Sequence, residues 1–312
     1  MACALLLWPT AAWGADRSIF SQQAPEQVAG YIFGVPVPVG NYYFAKRVAY
    51  MFPRPEEERA DESERERLIW EALILHYEAF RQGLAVSDAQ LEAWVDNVLS
   101  GQHQTFTRHG DPEAYGRWVQ ETVGEDVEVF EEQMRYMLTI SLLKDRMRES
   151  FPVTVTEEEM QQEFLNEKHH VGGEMAVFDT KEDAQAFYAR AREPAQWDEA
   201  KAKGEPPIRP VTMMTLEAYI DLWNIPKEQI YAFHAMEIGS VGPPMPFGTK
   251  EWCVYRLLEK RTGDLQEFPK ERDAYERQLK TRKQYQALKQ WIDDLKANAK
   301  LKVVPLTPVP SG

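Results

Sequence analysis

The feature that most limits what this chain can become is a series of apolar residues at three- and four-residue spacing, running with interruptions from about residue 64 to residue 167. Leu68, Ile69, Ala72, Leu73, Leu75, His76, Ala79 and Phe80 recur at that interval, and Gly83 stands where a helix stops. A stripe of this kind is stable only when buried against neighbouring helices or a sheet. Ser87 with Gln90 reads as a capping box, opening a helix with Leu91, Trp94, Val95 and Val98 inward. A shorter helix is expected from Asp111-Pro112, carrying Tyr115, Trp118 and Val119, and a long one over 125–149. Residues 153–156 suit an extended link, and Thr156 with Glu159 caps a further helix ending near residue 167.

The pattern changes after Gly172-Gly173. Residues 174–180 read as a strand, and Thr180 with Asp183 caps a helix carrying Ala184, Phe187, Tyr188 and Ala191. The segment EPPIRP (205–210) marks a loop, short helices are expected over 216–222 and 226–236, and 251–258 alternates as a strand. Residues 270–300 form one long polar helix with Tyr275, Leu279, Tyr285, Leu288, Trp291, Ile292 and Leu295 on its apolar stripe. Upstream, Gly34, Pro36 and Pro38 make 31–39 a short extended piece or hairpin, Asn41 caps a helix through residue 50, and 53–67 begins as a charged, exposed connection. The order is a helical region, a small α+β unit, then a long helix, so the fold class is α+β.

Composition narrows the function. With 9 Trp, 13 Tyr, 14 Phe and 11 Met the chain is not disordered. A formal charge of -14 excludes a nucleic-acid partner, since phosphate contacts need clustered Lys and Arg. Residues 1–15, MACALLLWPTAAWGA, read as the end of a secretory signal peptide, cleaved after Gly14 or Ala15. No other segment is apolar for long enough to span a membrane, so no stable insertion of the mature chain is expected. Removal of the leader takes Cys3 with it and leaves Cys253 without an intrachain partner.

Two blocks carry a resemblance. LIWEALILHYEAFRQGLAVSDAQLEAWV is similar to the pattern LI-x-x-LL-x-x-EA-x-x-x-GI-x-VSDAE of SurA-type chaperones, and VFEEQMRYMLTISLLKDRMRESFPVTVTEEEMQQEF to the helix and V-x-VT-EEE hinge that follow it. GEMAVFDTKEDAQAFYARAR and IPKEQIYAFHAMEIGSVGPPMPFGTKEWCVYRLLEKR resemble the first and closing segments of the parvulin-type peptidyl-prolyl isomerase domain in the SurA, PpiD and PrsA family. The resemblance implies a leader (1–15), a helical chaperone domain (16–170), an inserted parvulin-like domain (171–263), a C-terminal helix returning to the helical domain (264–300) and a tail (301–312). It implies a location in the periplasm or cell envelope, and unfolded or extended polypeptides as partners.

Parvulin sites use two facing histidines and an apolar pocket for the proline ring. By the same alignment Met175 stands at the first histidine position and Cys253 at the second, or Trp252 with a slip of one residue. The pocket positions fall at Ile225 and Gln229, and the glycine-rich GGDLG stretch is replaced by PPIRPVTMMT. No catalytic, cofactor or metal residue is therefore expected, and the parvulin-like domain is expected to be degenerate. The remaining histidines have bland readings. His169 and His170 are neighbours that point apart rather than a metal pair, His76 and His234 are satisfied packing positions, and His103 and His109 are solvated. The acidic runs at 56–58 and 157–159 are solvated and capping charge. Three functions remain in play: a chaperone without isomerase activity, an active prolyl isomerase with unusual residues, and a scaffold subunit binding one dedicated partner.

Overall fold

A computed structural model of the chain describes residues 27–51 and 61–306. The proposed leader lies outside the described residues. The chain divides into two compact units, one built from the residues up to Pro152 together with those from Gln284 onward, the other from Val153–Lys283.

The first unit holds a hairpin of β1 (Val28–Ile32) and β2 (Val35–Pro38), then α1 (Val39–Met51), α2 (Glu62–Arg81), α3 (Asp88–Gly101), α4 (Pro112–Thr122) and α5 (Val127–Ser150). Helix α1 starts at Val39, so Asn41 lies within it and is not its cap. Ser87 and Gln90 form the reciprocal box read from the sequence, and two caps that reading did not name are present as well: Asp61 accepts from the Glu64 N–H and Asp111 from the Ala114 N–H. Gly83, at φ +66°, follows α2 where a side chain would be strained. Packing forms three clusters. Tyr42, Ile69, Trp70, Leu73 and Tyr136 join the hairpin to α1, α2 and α5. Leu91, Val95, Trp118, Phe130 and Met134 join α3, α4 and α5. Leu75, Ala79 and Leu143 pack with Trp291, Ile292 and Leu295 from α11 (Phe268–Ala299). A strand pair absent from the sequence reading completes the unit: β7 (Lys302–Val303) lies antiparallel to β1.

The second unit opens with α6 (Glu157–Lys168), whose Thr156–Glu159 capping box is formed. Phe164 meets Phe268 and Tyr275 of α11 edge-on at 5.7 Å in both cases. The antiparallel sheet runs in the order β4-β3-β6-β5, with β3 (His170–Phe178), β4 (Ile208–Thr215), β5 (Met245–Phe247) and β6 (Glu251–Arg261). Helices α7 (Lys181–Ala191) and α8 (Pro194–Lys203) cover one face, and α9 (Leu216–Asp221) and α10 (Lys227–Ala235) the other. Part of the segment read as a loop is strand: Ile208, Arg209 and Pro210 belong to β4. Proline is tolerated there because β4 is an edge strand. The whole is α+β, and among the described residues no helix is long and apolar enough to cross a membrane.

Candidate functional site

Strand alternation sorts the candidate residues of the second unit. Val171, Met175 and Val177 of β3 share a face with Cys253, Tyr255 and Leu257 of β6, while Glu174, Ala176, Trp252 and Val254 face the other way. Met175 lies opposite Tyr255, and Cys253 opposite Val177, so Met175 and Cys253 are diagonal neighbours on one surface. Ile225 joins the same cluster. Gln229 sits half-buried on α10, its Oε1 buried without a hydrogen-bond partner. Trp252 packs on the opposite face, under the Lys181 ammonium at 5.1 Å. Glycine is required at the bulge in β3, because a Cβ on Gly173 would lie 1.9 Å from the Arg256 carbonyl and 2.8 Å from the Tyr255 ring.

This face is closed. Leu216, Tyr219, Ile225, Ile230, Phe233 and Met245 cover it, Met175 is 7% exposed, and Cys253 and Tyr255 are fully buried. The Tyr219 hydroxyl donates to the Val171 carbonyl at 3.1 Å, so the Tyr255 hydroxyl donates to Tyr219 at 2.5 Å. Burial pushes the Cys253 thiol up to about 12 and Tyr219 up to about 12, and raises Tyr255 further. Cys253, Tyr219 and Tyr255 therefore stay protonated near neutral pH. On the opposite face the buried Glu174 carboxylate accepts from Trp197 Nε1 at 2.8 Å and from the Lys201 ammonium, with Arg256 4.0 Å away. That network anchors α8 to β3.

The histidines diverge as expected. His169 Nδ1 accepts from the Gly263 N–H at 2.9 Å, whereas His170 contacts Arg261. The His169 ring stacks on His234 at 4.2 Å, and His234 Nε2 is buried without a hydrogen-bond partner, so this packing position is not a satisfied one. His103 and His109 are exposed. Among the described residues no three His, Cys, Asp or Glu gather to hold a metal.

The first unit holds a different kind of place. Helices α1, α2, α3 and α5 enclose a groove of about 540 Å³, within the usual range of roughly 300–1,000 Å³ for ligand pockets. Its walls are mostly apolar: Ala45 and Val48 from α1, Leu68, Ala72 and Leu75 from α2, Trp94 from α3, and Tyr136, Met137 and Ile140 from α5. Arg65, Glu71, Ser141 and Lys144 are the polar residues of the lining, and Glu71 pairs with Arg67 at 3.3 Å and Lys296 at 3.0 Å. The Tyr136 ring is fixed by His76, stacked at 4.4 Å, and by Phe44, edge-on at 5.6 Å. Yet its hydroxyl is buried without a hydrogen-bond partner, as is Trp94 Nε1. Burial raises the Tyr136 hydroxyl well above the tyrosine range and lowers His76 to about 4. Helical spacing assigns Trp94 and Tyr136 simply to the core. Only their unsatisfied polar atoms single them out, and spacing carries no trace of those.

No family model matches the chain, and no curated protein matches it. Solved structures with a similar arrangement include a SurA-like chaperone of Campylobacter jejuni, at 12% identity and a TM-score of 0.41, covering 90% of this chain and 100% of that one. A peptidylprolyl isomerase (PrsA) of Bacillus anthracis is similar at 15% identity and a TM-score of 0.39, over 75% of this chain and 98% of that one. The corresponding protein of Bacillus cereus is similar at 11% identity and a TM-score of 0.37, over 90% and 95%.

Proposed function

We propose that this chain is an envelope chaperone that holds unfolded or extended polypeptides and has no prolyl isomerase activity. The observation that carries the non-catalytic half is the closed sheet face of the second unit. Rotation about a peptide bond faces a barrier of about 18–20 kcal/mol, and lowering it requires groups that favour the twisted amide to reach the bond. At the positions the resemblance assigns, Met175 offers a thioether, and Cys253 a thiol that is buried and protonated. The chaperone half is supported by the two SurA-like sequence blocks, and the envelope location by residues 1–15 and the same resemblance.

The test is light scattering of an unfolded outer-membrane protein diluted from urea with and without the chain, paired with a protease-coupled assay on a proline-containing peptide. Suppressed scattering is expected, with proline turnover no faster than the uncatalysed rate. Turnover that vanished on substituting Met175 and Cys253 would make the chain an isomerase. Unchanged scattering, with capture of one stoichiometric partner, would make it a scaffold.

A further inference from the structure

Where α6 runs into β3, two histidines with no part in the closed sheet face lie ring on ring. His169 is the residue just past α6 and His234 stands in the last turn of α10. Their ring centroids are 4.2 Å apart and their planes 26° from parallel. Each ring is held in its neutral form by what it touches. His169 Nδ1 accepts the Gly263 N–H at 2.9 Å, so a proton can settle on that nitrogen only if the bond breaks. A hydrogen bond to the Arg261 backbone favours the charged form of His234, which makes it a ring N–H donating to a carbonyl. Because Nε2 is buried without a partner, that bond belongs to Nδ1, and a proton added at Nε2 would be a sealed donor with no acceptor.

The backbone here is pinned. The His169 N–H donates to the Leu165 carbonyl at 2.7 Å, and its carbonyl accepts from the Leu216 N–H at 3.0 Å. Gly263 lies so close to the end of α6 that a Cβ on it would come within 2.5 Å of the Lys168 Cβ. The charges acting on the two rings are cationic: His170 of β3 on His169, and Lys260 of β6 on His234. Arg261 contacts the His170 ring at 2.9 Å. The Lys168 ammonium is paired with Glu167 at 3.5 Å and with Glu271 of α11 at 3.1 Å, while Glu217 of α9 faces Glu163, Glu167, Asp221 and Arg282. Burial, reinforced by the neighbouring imidazoles, lowers His169 to about 4, and burial with Lys260 lowers His234 too.

We infer that the stacked His169–His234 pair is a proton-operated clasp: with both rings neutral it holds residues 261–263, the link from β6 toward α11, against the junction of α6 and β3, and a proton on either ring releases that link. The folded values lie below the free imidazole value of about 6.5. The clasp is therefore complete above pH 6.5 and is lost as the pH falls toward 4. This device is independent of the chaperone reading.

The test is hydrogen exchange of the full chain, read by mass spectrometry as protection relative to the intrinsic exchange rate at each pH. Between pH 7.5 and pH 4.5 the peptide covering residues 259–266 should lose protection about ten- to a hundred-fold, while a reference peptide from α7, residues 182–191, keeps its own. His169→Asn places an amide oxygen near the position of Nδ1, and combined with His234→Asn it should remove most of the difference between the two pH values. Gly263→Ala pushes the link off α6 without touching a titratable group, so the 259–266 peptide should already be poorly protected at pH 7.5. Equal protection of the unaltered chain at both pH values, or an undiminished difference in the double variant, would sink the clasp. Loss over the reference peptide as well would mean general acid unfolding and overturn it too. Should the double variant not fold, nuclear magnetic resonance of the unaltered chain decides. The clasp requires the His169 ring and the Gly263 amide to shift together with a midpoint below 6.5, and a ring titrating near 6.5 beside an unmoved amide would refute it.

Discussion

The two tyrosines beneath the closed sheet face form a directional chain, Tyr255 to Tyr219 to the Val171 carbonyl, and direction makes the two deletions unequal. Tyr255→Phe removes one donor and should cost about 0.5–1.5 kcal/mol. Tyr219→Phe strands both the Val171 carbonyl and the Tyr255 hydroxyl, and should cost about 1–3 kcal/mol, both read from urea unfolding. Cys253 provides a second test. Its thiol is held near 12 when folded, against about 8.5 when unfolded, so the folded state keeps a proton that the unfolded state loses. Its contribution is present below pH 8.5 and is lost as pH rises from there toward 12. In a Cys3→Ser background, a thiol reagent at pH 8 should leave the native protein unlabelled and label it fully in urea. His76 acts at the other end of the scale. Its folded value is about 4 and its unfolded value about 6.5, so stability is present above 6.5 and falls as pH drops toward 4. The loss is on the order of 3 kcal/mol, and His76→Leu should flatten that stretch of the stability profile.

At the scale of elements, Thr156→Ala breaks the capping box of α6 and should cost about 1 kcal/mol in urea unfolding. That box was legible because its signal is local: a hydroxyl and a carboxylate three residues apart. The same holds for Thr180 with Asp183, and for Ser87 with the Gln90 amide in place of a carboxylate. Helix α8 was legible in principle and passed over, with Pro194 in its first turn and Gly204 closing it at φ +74°. Its purpose is hidden, because the buried Trp197 meets Glu174 only through the fold. Strands β4 and β7 were not legible. Pro210 argues against a strand until an edge position is known, and β7 is two residues whose partner lies at the opposite end of the chain. The candidate groove was the least legible feature, since four helices are needed to define it.

At the scale of the whole molecule, α11 is divided between the units, with its residues to Lys283 in the second and those from Gln284 in the first. A chain ending at Lys283 loses Trp291, Ile292, Leu295, Ala299 and β7 from the first unit. Limited proteolysis read by mass spectrometry should then find residues 61–152 readily cut while Val153–Lys283 stays protected. Unchanged resistance of both regions would show that the C-terminal segment is dispensable. The Phe33 N–H donates to the Ala299 carbonyl at 2.7 Å and the Val304 N–H to the Ala29 carbonyl at 2.8 Å, so residues 29–33 and 299–304, far apart in sequence, share one sheet margin. Polypeptides are made from the N-terminus. The earlier-made part of the first unit therefore closes only after the residues from Gln284 onward have been made, whereas Val153–Lys283 already holds its own core before them.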